Sequence, residues 1–257
     1  MVSDADLAAD AARQAGLLLL EIRSQGTEGG AVADVQSDRL LARILAGVRP
    51  DDAVLSEEVA GTGERLRADR VWIIDPLDGT REFGEPGRSD WAVHVALWVR
   101  GELVAGAVAL PALGEIWSTV PGAHPVPDLA RPIARIAVSR TRPPLWAIAV
   151  AADLGAEVVP MGSAGAKAAA VLRGDVDAYL HDGGQYEWDS AAPVAVATHL
   201  GFTAARADGT ALAYNQPDPD LPDLVICPPA AAEDLLARIA GHRNAARPAP
   251  VDRWADD

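Results

Sequence analysis

Two carboxylates close an apolar run in Trp72-Ile73-Ile74-Asp75-Pro76-Leu77-Asp78-Gly79-Thr80. Pro76 denies the segment a regular helical start and Gly79 permits a tight turn, so Asp75 and Asp78 can converge on one point. Acids held that close repel one another unless a cation lies between them, and hard oxygen donors suit Mg²⁺. After Gly79 the chain is expected to enter a short helix. Its first amides, at Gly79 and Thr80, would point toward an anion, so phosphate and metal would share one site. An Asx turn explains an isolated Asp-Pro pair as well.

Two other places offer acids. Ser56-Glu57-Glu58 follows the short apolar run Ala53-Val54-Leu55, and Trp188-Asp189-Ser190 puts an acid where a helix begins. Taken singly, the first reads as a solvated loop face and the second as a helix cap.

The elements that must bring these acids together follow from periodicity. Ser3 and Asp6 form a capping pair ahead of a helix carrying Leu7, Ala11, Leu18 and Ile22 and ending near Gly26; a second helix is expected over Asp38 to Ala46, closed by Pro50. Val71 to Ile74 reads as a strand buried on both faces, and Trp91 to Val120 as an antiparallel meander turning at 100–102 and 111–114. From Ile136 onward strands alternate with helices: Ile136 to Val138, a helix after Pro144, Val158-Val159, then a helix over Ala164 to Leu172. Val176 to Leu180, a helix over Asp189 to His199, Leu224 to Cys227 and a helix over Ala231 to Ala240 complete the rhythm of helices over a mixed sheet. The division expected is 1–134 as an α+β half with the metal motifs, 135–241 as an α/β half completing the site, and 242–257 as a flexible tail.

Composition narrows the partners. The chain has 257 residues, 49% hydrophobic, and a formal charge of -15, a field that repels nucleic-acid polymers and anionic membranes. If the ligand is itself a phosphate, something cationic must mediate, which favours bound divalent metal. No apolar run reaches membrane-spanning length and the N-terminus carries acids where a signal peptide carries bases, so a cytoplasmic protein is expected. The single cysteine, Cys227, reads as a buried strand residue.

In that order, the Glu-Glu pair, Asp75 to Thr80, and Trp188-Asp189 resemble the inositol monophosphatase superfamily of Mg²⁺-dependent, lithium-sensitive phosphatases. The resemblance runs from the first helix to about Ala240 and implies the layered αβαβα sandwich of the sugar-phosphatase fold, an α+β and α/β architecture. The local wording is similar to the CysQ-type 3'-phosphoadenosine 5'-phosphate phosphatases, in Asp78-Gly79-Thr80-Arg81-Glu82-Phe83, Gly162 to Lys167, Gly183 to Asp189, and Tyr214-Asn215-Gln216. It implies hydrolysis of that nucleotide to AMP in sulfur assimilation and nucleotide recycling. Inositol 1-phosphate or fructose 1,6-bisphosphate are the alternative substrates, and a metal-binding regulatory homologue without turnover is the alternative class. Retention of every core carboxylate argues against the last.

Carried over residue by residue, the resemblance implies that Glu57, Asp75 and the Leu77 carbonyl hold one metal and that Asp75, Asp78 and Asp189 hold a second, with two or three Mg²⁺ per site. Thr80 and Glu57 would orient the attacking water. Gly79, Thr80, Arg81, Ser163, Lys167 and Asp189 would meet substrate, and a homodimer is implied. Asp34 is a candidate catalytic or third-metal acid if the chain is two residues shorter here than in related enzymes; a loop aspartate is the alternative.

Other motifs fail. Lys167 is followed by Ala168 rather than Ser or Thr, so Gly162 to Lys167 is no Walker loop. It reads instead as a turn opening a helix, with Lys167 either a counter-charge to substrate or a surface lysine. An EF-hand counted from Asp75 meets Pro86 at its twelfth position. Ser163 lacks the nucleophile elbow, and His94, within an alternating strand, reads as a packing residue.

Overall fold

The computed structural model describes residues 2–26, 29–57, 63–125 and 128–245. Helix α1 (Asp4–Gln25) starts where Ser3 Oγ accepts the Asp6 amide at 3.1 Å and stops at Gly26, whose φ is 66°. Leu7, Ala11, Ala15, Leu19 and Ile22 form its buried stripe. Helix α2 (Gly30–Val48) begins eight residues before the expected start at Asp38. Ala33 and Ser37 extend the buried i, i+4 row of Leu41 and Leu45, and Ser37 Oγ donates to the Pro76 carbonyl at 2.8 Å. Small and polar residues there hid a helical face that only its neighbours reveal.

Five strands form the first sheet: β1 (Ala53–Leu55), β2 (Arg70–Asp78), β3 (Ala92–Val99), β4 (Glu102–Leu110) and β5 (Glu115–Ser118), in that order. The β1–β2 pairing is parallel and the rest antiparallel. The second sheet contains β6 (Arg135–Ser139), β7 (Glu157–Met161), β8 (Ala178–Tyr186), β9 (Thr203–Ala205) and β10 (Asp220–Cys227), ordered β7-β6-β8-β10-β9. The remaining helices are α3 (Thr80–Gly84), α4 (Leu145–Leu154), α5 (Ala164–Arg173), α6 (Glu187–His199) and α7 (Pro229–Ala245).

Burial sorts these elements into five layers. Alternate residues of β2, Trp72 and Ile74, pack with α1 and α2, while Val71 and Ile73 face a middle layer of α5 and α6. The second sheet covers that layer through Ala137, Tyr179, Leu224 and Ile226, and its outer face, with Val138, Leu180 and Val225, carries α4 and α7. This is the expected αβαβα sandwich. Strand parity in β2 therefore decides which side chains meet α5 and α6, and the functional acids lie on that face.

The last helix corrects the expected boundary at Gly241, since α7 runs to Ala245; residues 246–257 of the expected tail lie outside the described residues. Cys227 is fully buried, and burial pushes its thiol up to about 12. Among the described residues no helix is long and apolar enough to cross a membrane.

Candidate metal centre

Asp75 follows Val71 and Ile73 in parity, so it points to the middle layer. Asp78, three residues on, would ordinarily point the opposite way. Between them the pairing of β2 with β3 slips: Asp75 stands opposite His94 and Asp78 opposite Ala92, three steps on one strand against two on the other. The extra residue, at Pro76-Leu77, is a bulge that turns Asp78 to the side of Asp75, and Pro76 has no amide to lose there. Gly79 then turns at a φ of 87° and opens α3.

Asp189 enters from the first turn of α6. One oxygen from each of Asp75, Asp78 and Asp189 lies within 4.8 Å of the others. Each carboxylate is oriented through a single oxygen: Asp75 Oδ1 accepts the Leu77 amide at 3.0 Å, and Asp189 Oδ2 accepts the Tyr186 amide at 2.7 Å. Asp78 Oδ2 accepts both Ser163 Oγ at 2.5 Å and the Gly165 amide at 2.8 Å. Among the described residues no hydrogen bond is made to the other oxygen of any of the three. Three oriented carboxylates with one oxygen apiece to spare form a donor set that fits a hard divalent cation.

The electrostatics agree. Burial, followed by the charges of Asp78, Asp189 and Asp34, raises the Asp75 carboxyl well above its usual range. Asp189 is pushed up to about 7, by burial first and by Asp78 second. Asp78 goes the other way. Burial opposes its ionisation, but His94, Lys167 and the Ser163 hydroxyl outweigh it and hold the carboxyl below its ordinary value. The cluster thus carries more negative charge than the protein alone compensates.

The sequence-predicted residues fall into place unequally. Asp34 lies on α2, not in a loop, near enough for its charge to act on Asp75. Glu57, exposed at the end of β1, acts electrostatically on Asp189, while Glu58 lies outside the described residues. Thr80 and Arg81 are exposed at the rim; Thr80 Oγ1 donates to the Leu77 carbonyl at 3.1 Å. Ser163 caps α5 with a φ of 46°, its Oγ accepting the Ala166 amide while donating to Asp78.

Lys167 departs from one of its two expectations. It is 4% exposed, which excludes a surface lysine, and its Nζ donates to the Gly162 and Ser163 carbonyls at 3.0 and 2.6 Å. Burial lowers its pKa to about 8 against the opposing pull of Asp78 and Asp189. Its charge holds the turn that holds Asp78. Lys167 also borders a cleft of about 360 Å³ whose lining includes Thr80, Arg81, Arg140, Arg142 and Ser163. Arg140 there is tied to Glu82 and Glu85, whereas Arg81 and Arg142 are exposed.

His94 is the residue the sequence reading missed. It is fully buried, as packing demands, yet Nδ1 lies 3.1 Å from the Trp188 carbonyl and Nε2 lies 3.2 Å from Asp78 Oδ2. Gly165 makes room for it, since a Cβ there would stand 2.2 Å from Nε2. The alternation of β3 carried a signal, because His94 shares parity with Ala92 and Ala96 of the middle layer. The register that sets it opposite Asp75 did not show in the sequence.

Comparison with known proteins gives concordant results. The sequence model of the inositol monophosphatase family matches residues 6–245. The 3'-phosphoadenosine 5'-phosphate phosphatase of Mycobacterium leprae is 51% identical over 254 residues, 93% of this chain and 94% of that protein. Inositol-1-monophosphatase SuhB of Mycobacterium tuberculosis is 32% identical over 245 residues, 84% of this chain and 80% of that protein. Among solved structures, CysQ from Bacteroides thetaiotaomicron superposes with a TM-score of 0.77 at 26% identity, covering 88% of this chain and 97% of that one.

Proposed function

The chain belongs to the inositol monophosphatase family, and from that premise we propose that it is a Mg²⁺-dependent phosphatase that converts 3'-phosphoadenosine 5'-phosphate to AMP and inorganic phosphate. The observation that carries the reading is the triad of Asp75, Asp78 and Asp189, each oriented through one oxygen and bringing one oxygen within 4.8 Å of the others. Glu57, Asp75 and the Leu77 carbonyl would hold one ion, and Asp75, Asp78 and Asp189 a second, with Asp34 the candidate for a third. Bound there, Mg²⁺ supplies an acidified water and neutralises charge on the phosphoryl and leaving oxygens.

The chain's own groups do the rest. Thr80 and Glu57 orient the water opposite the leaving oxygen, and the amides of Gly79 and Thr80 receive the phosphoryl oxygens. As the water oxygen bonds to phosphorus, the P–O3' bond breaks; one water proton ends on the ribose oxygen and the other leaves with phosphate and solvent. Ser163, Lys167 and His94 keep Asp78 in place.

Two features support a nucleotide over a bare sugar phosphate. Tyr186, 44% exposed, is stacked on Trp188 at 4.7 Å and 14°, and its amide is bonded to Asp189, so a flat aromatic face stands beside the acids where a base can stack. Arg142 packs its guanidinium against Gly184, two residues before Tyr186, and offers the second phosphate a cation. The greater identity to the nucleotide phosphatase than to the inositol enzyme points the same way. A cytoplasmic homodimer belongs to the same reading.

The test is phosphate release from 3'-phosphoadenosine 5'-phosphate, inositol 1-phosphate and fructose 1,6-bisphosphate, with Mg²⁺ and after chelation. The nucleotide is expected to give the highest kcat/KM. A preference for inositol phosphate overturns the nucleotide assignment, and turnover in excess chelator overturns the metal.

A further inference from the structure

Tyr214-Asn215-Gln216 takes no part in the site as described, yet it is bonded to both sides of it. On one side is Glu187, 1% exposed and two residues before Asp189 on the first turn of α6. Its Oε2 accepts the Asn215 amide at 2.6 Å and its Oε1 accepts the Gln216 amide at 2.7 Å. On the other side is Arg65, 2% exposed, in the short turn Gly63–Arg67 between β1 and β2. Arg65 Nη1 donates to Asn215 Oδ1 at 2.7 Å and Nη2 to the Gln216 carbonyl at 2.7 Å, while Asn215 Nδ2 donates back to the Arg65 carbonyl at 3.2 Å. Asn215 holds a φ of 58°, a left-handed conformation open mainly to Gly, Asn and Asp.

Arg65 lies on the chain that leaves Glu57, and Glu187 on the helical turn that carries Asp189. Strand β1 anchors the chain just before Glu57, and Arg65 anchors it eight residues further on. Acids that repel one another need their separation imposed from outside, and buried charge-assisted bonds at both ends of a rigid turn can impose it.

We propose that Arg65, Asn215 and Glu187 are positioning residues that set the spacing between Glu57 and Asp189, and through it the affinity of the acidic site for a divalent cation. The proposal rests on the metal-dependent reading above, but its test reads binding rather than turnover. Asn215→Gly keeps the left-handed backbone and both amides that Glu187 accepts, and deletes only the carboxamide that meets Arg65. Arg65→Met removes that link from the other end, together with the bond to the Gln216 carbonyl.

Each metal-free protein is titrated with MgCl₂ while its melting temperature is recorded. Both variants are expected to melt within about 4 °C of wild type in chelator. Both should need about ten-fold more Mg²⁺ to reach the same rise in melting temperature above that in chelator. A Mg²⁺ requirement equal to wild type for the same rise, with the same loss of melting temperature with and without Mg²⁺, means the network only docks the two halves and overturns the proposal. Failure of both variants to fold at saturating Mg²⁺ overturns it likewise. A wild type that shows no Mg²⁺ shift overturns the metal reading itself, a distinguishable result.

Discussion

Replacing Asp189 by Asn should stabilise the metal-free protein while disabling the site. The Asp189 carboxyl rises from 3.8 to about 7 because it is buried and faces Asp78. The unfolded chain releases that proton near pH 4 and the folded chain keeps it to about pH 7. Between those limits the folded state binds the extra proton, so this group lowers stability as pH rises, by 1.36 kcal/mol per pH unit, and levels off above pH 7. The total is about 4 kcal/mol at most, less what solvent screens at the partly exposed edge of the side chain. Asparagine carries no charge and still offers an oxygen to the Tyr186 amide, which the native carboxylate holds at 2.7 Å. It also relieves Asp75, whose proton affinity Asp189 raises. In chelator at pH 8 the variant should melt at least about 2 °C above wild type, the shift expected for about 1 kcal/mol in a chain of this size. The gap should close toward pH 4, and Mg²⁺ should reverse the order because only the wild type gains a full ligand set. Calorimetric melting across pH 4–8, with and without Mg²⁺, decides it. A variant no more stable than wild type in chelator at pH 8, or a gap that does not change with pH, refutes the reasoning.

Asp78→Asn should lower kcat/KM by more than about 2 kcal/mol in transition-state terms while circular dichroism stays unchanged, because it removes a charged metal ligand. Arg142→Ala should cost about 1–3 kcal/mol, the range of a charge-assisted contact, on 3'-phosphoadenosine 5'-phosphate and little on inositol 1-phosphate. Lys167→Ala, by contrast, should lower both substrates alike, since its ammonium serves the turn that holds Asp78; a loss confined to the nucleotide would show that its charge reaches substrate. Li⁺ should inhibit the Mg²⁺-loaded enzyme, and an unchanged rate at high Li⁺ would count against the assigned ion sites.

The amino-acid sequence by itself determined what is local. An apolar run ending in Asp75-Pro76-Leu77-Asp78-Gly79 dictates a strand that breaks into a turn with two acids on it, and the alternation of strand and helix periods from Ile136 onward dictates layers. Even the parity of His94 with Ala92 and Ala96 was legible. What only the tertiary structure decided is what depends on register and packing between distant segments: the bulge that turns Asp78 to the side of Asp75, and the pairing that sets His94 opposite Asp75. The start of α2 at Gly30 also belongs here, because its buried face consists of residues too small or polar to announce it. Lys167 shows the difference most plainly. Its sequence context allowed either a surface lysine or a counter-charge to substrate, because side-chain spacing along a helix states a face but not what that face meets. Burial beneath the turn at Gly162 and Ser163, with the acids on one side and Tyr179 on the other, made it a buried cation that holds the site together.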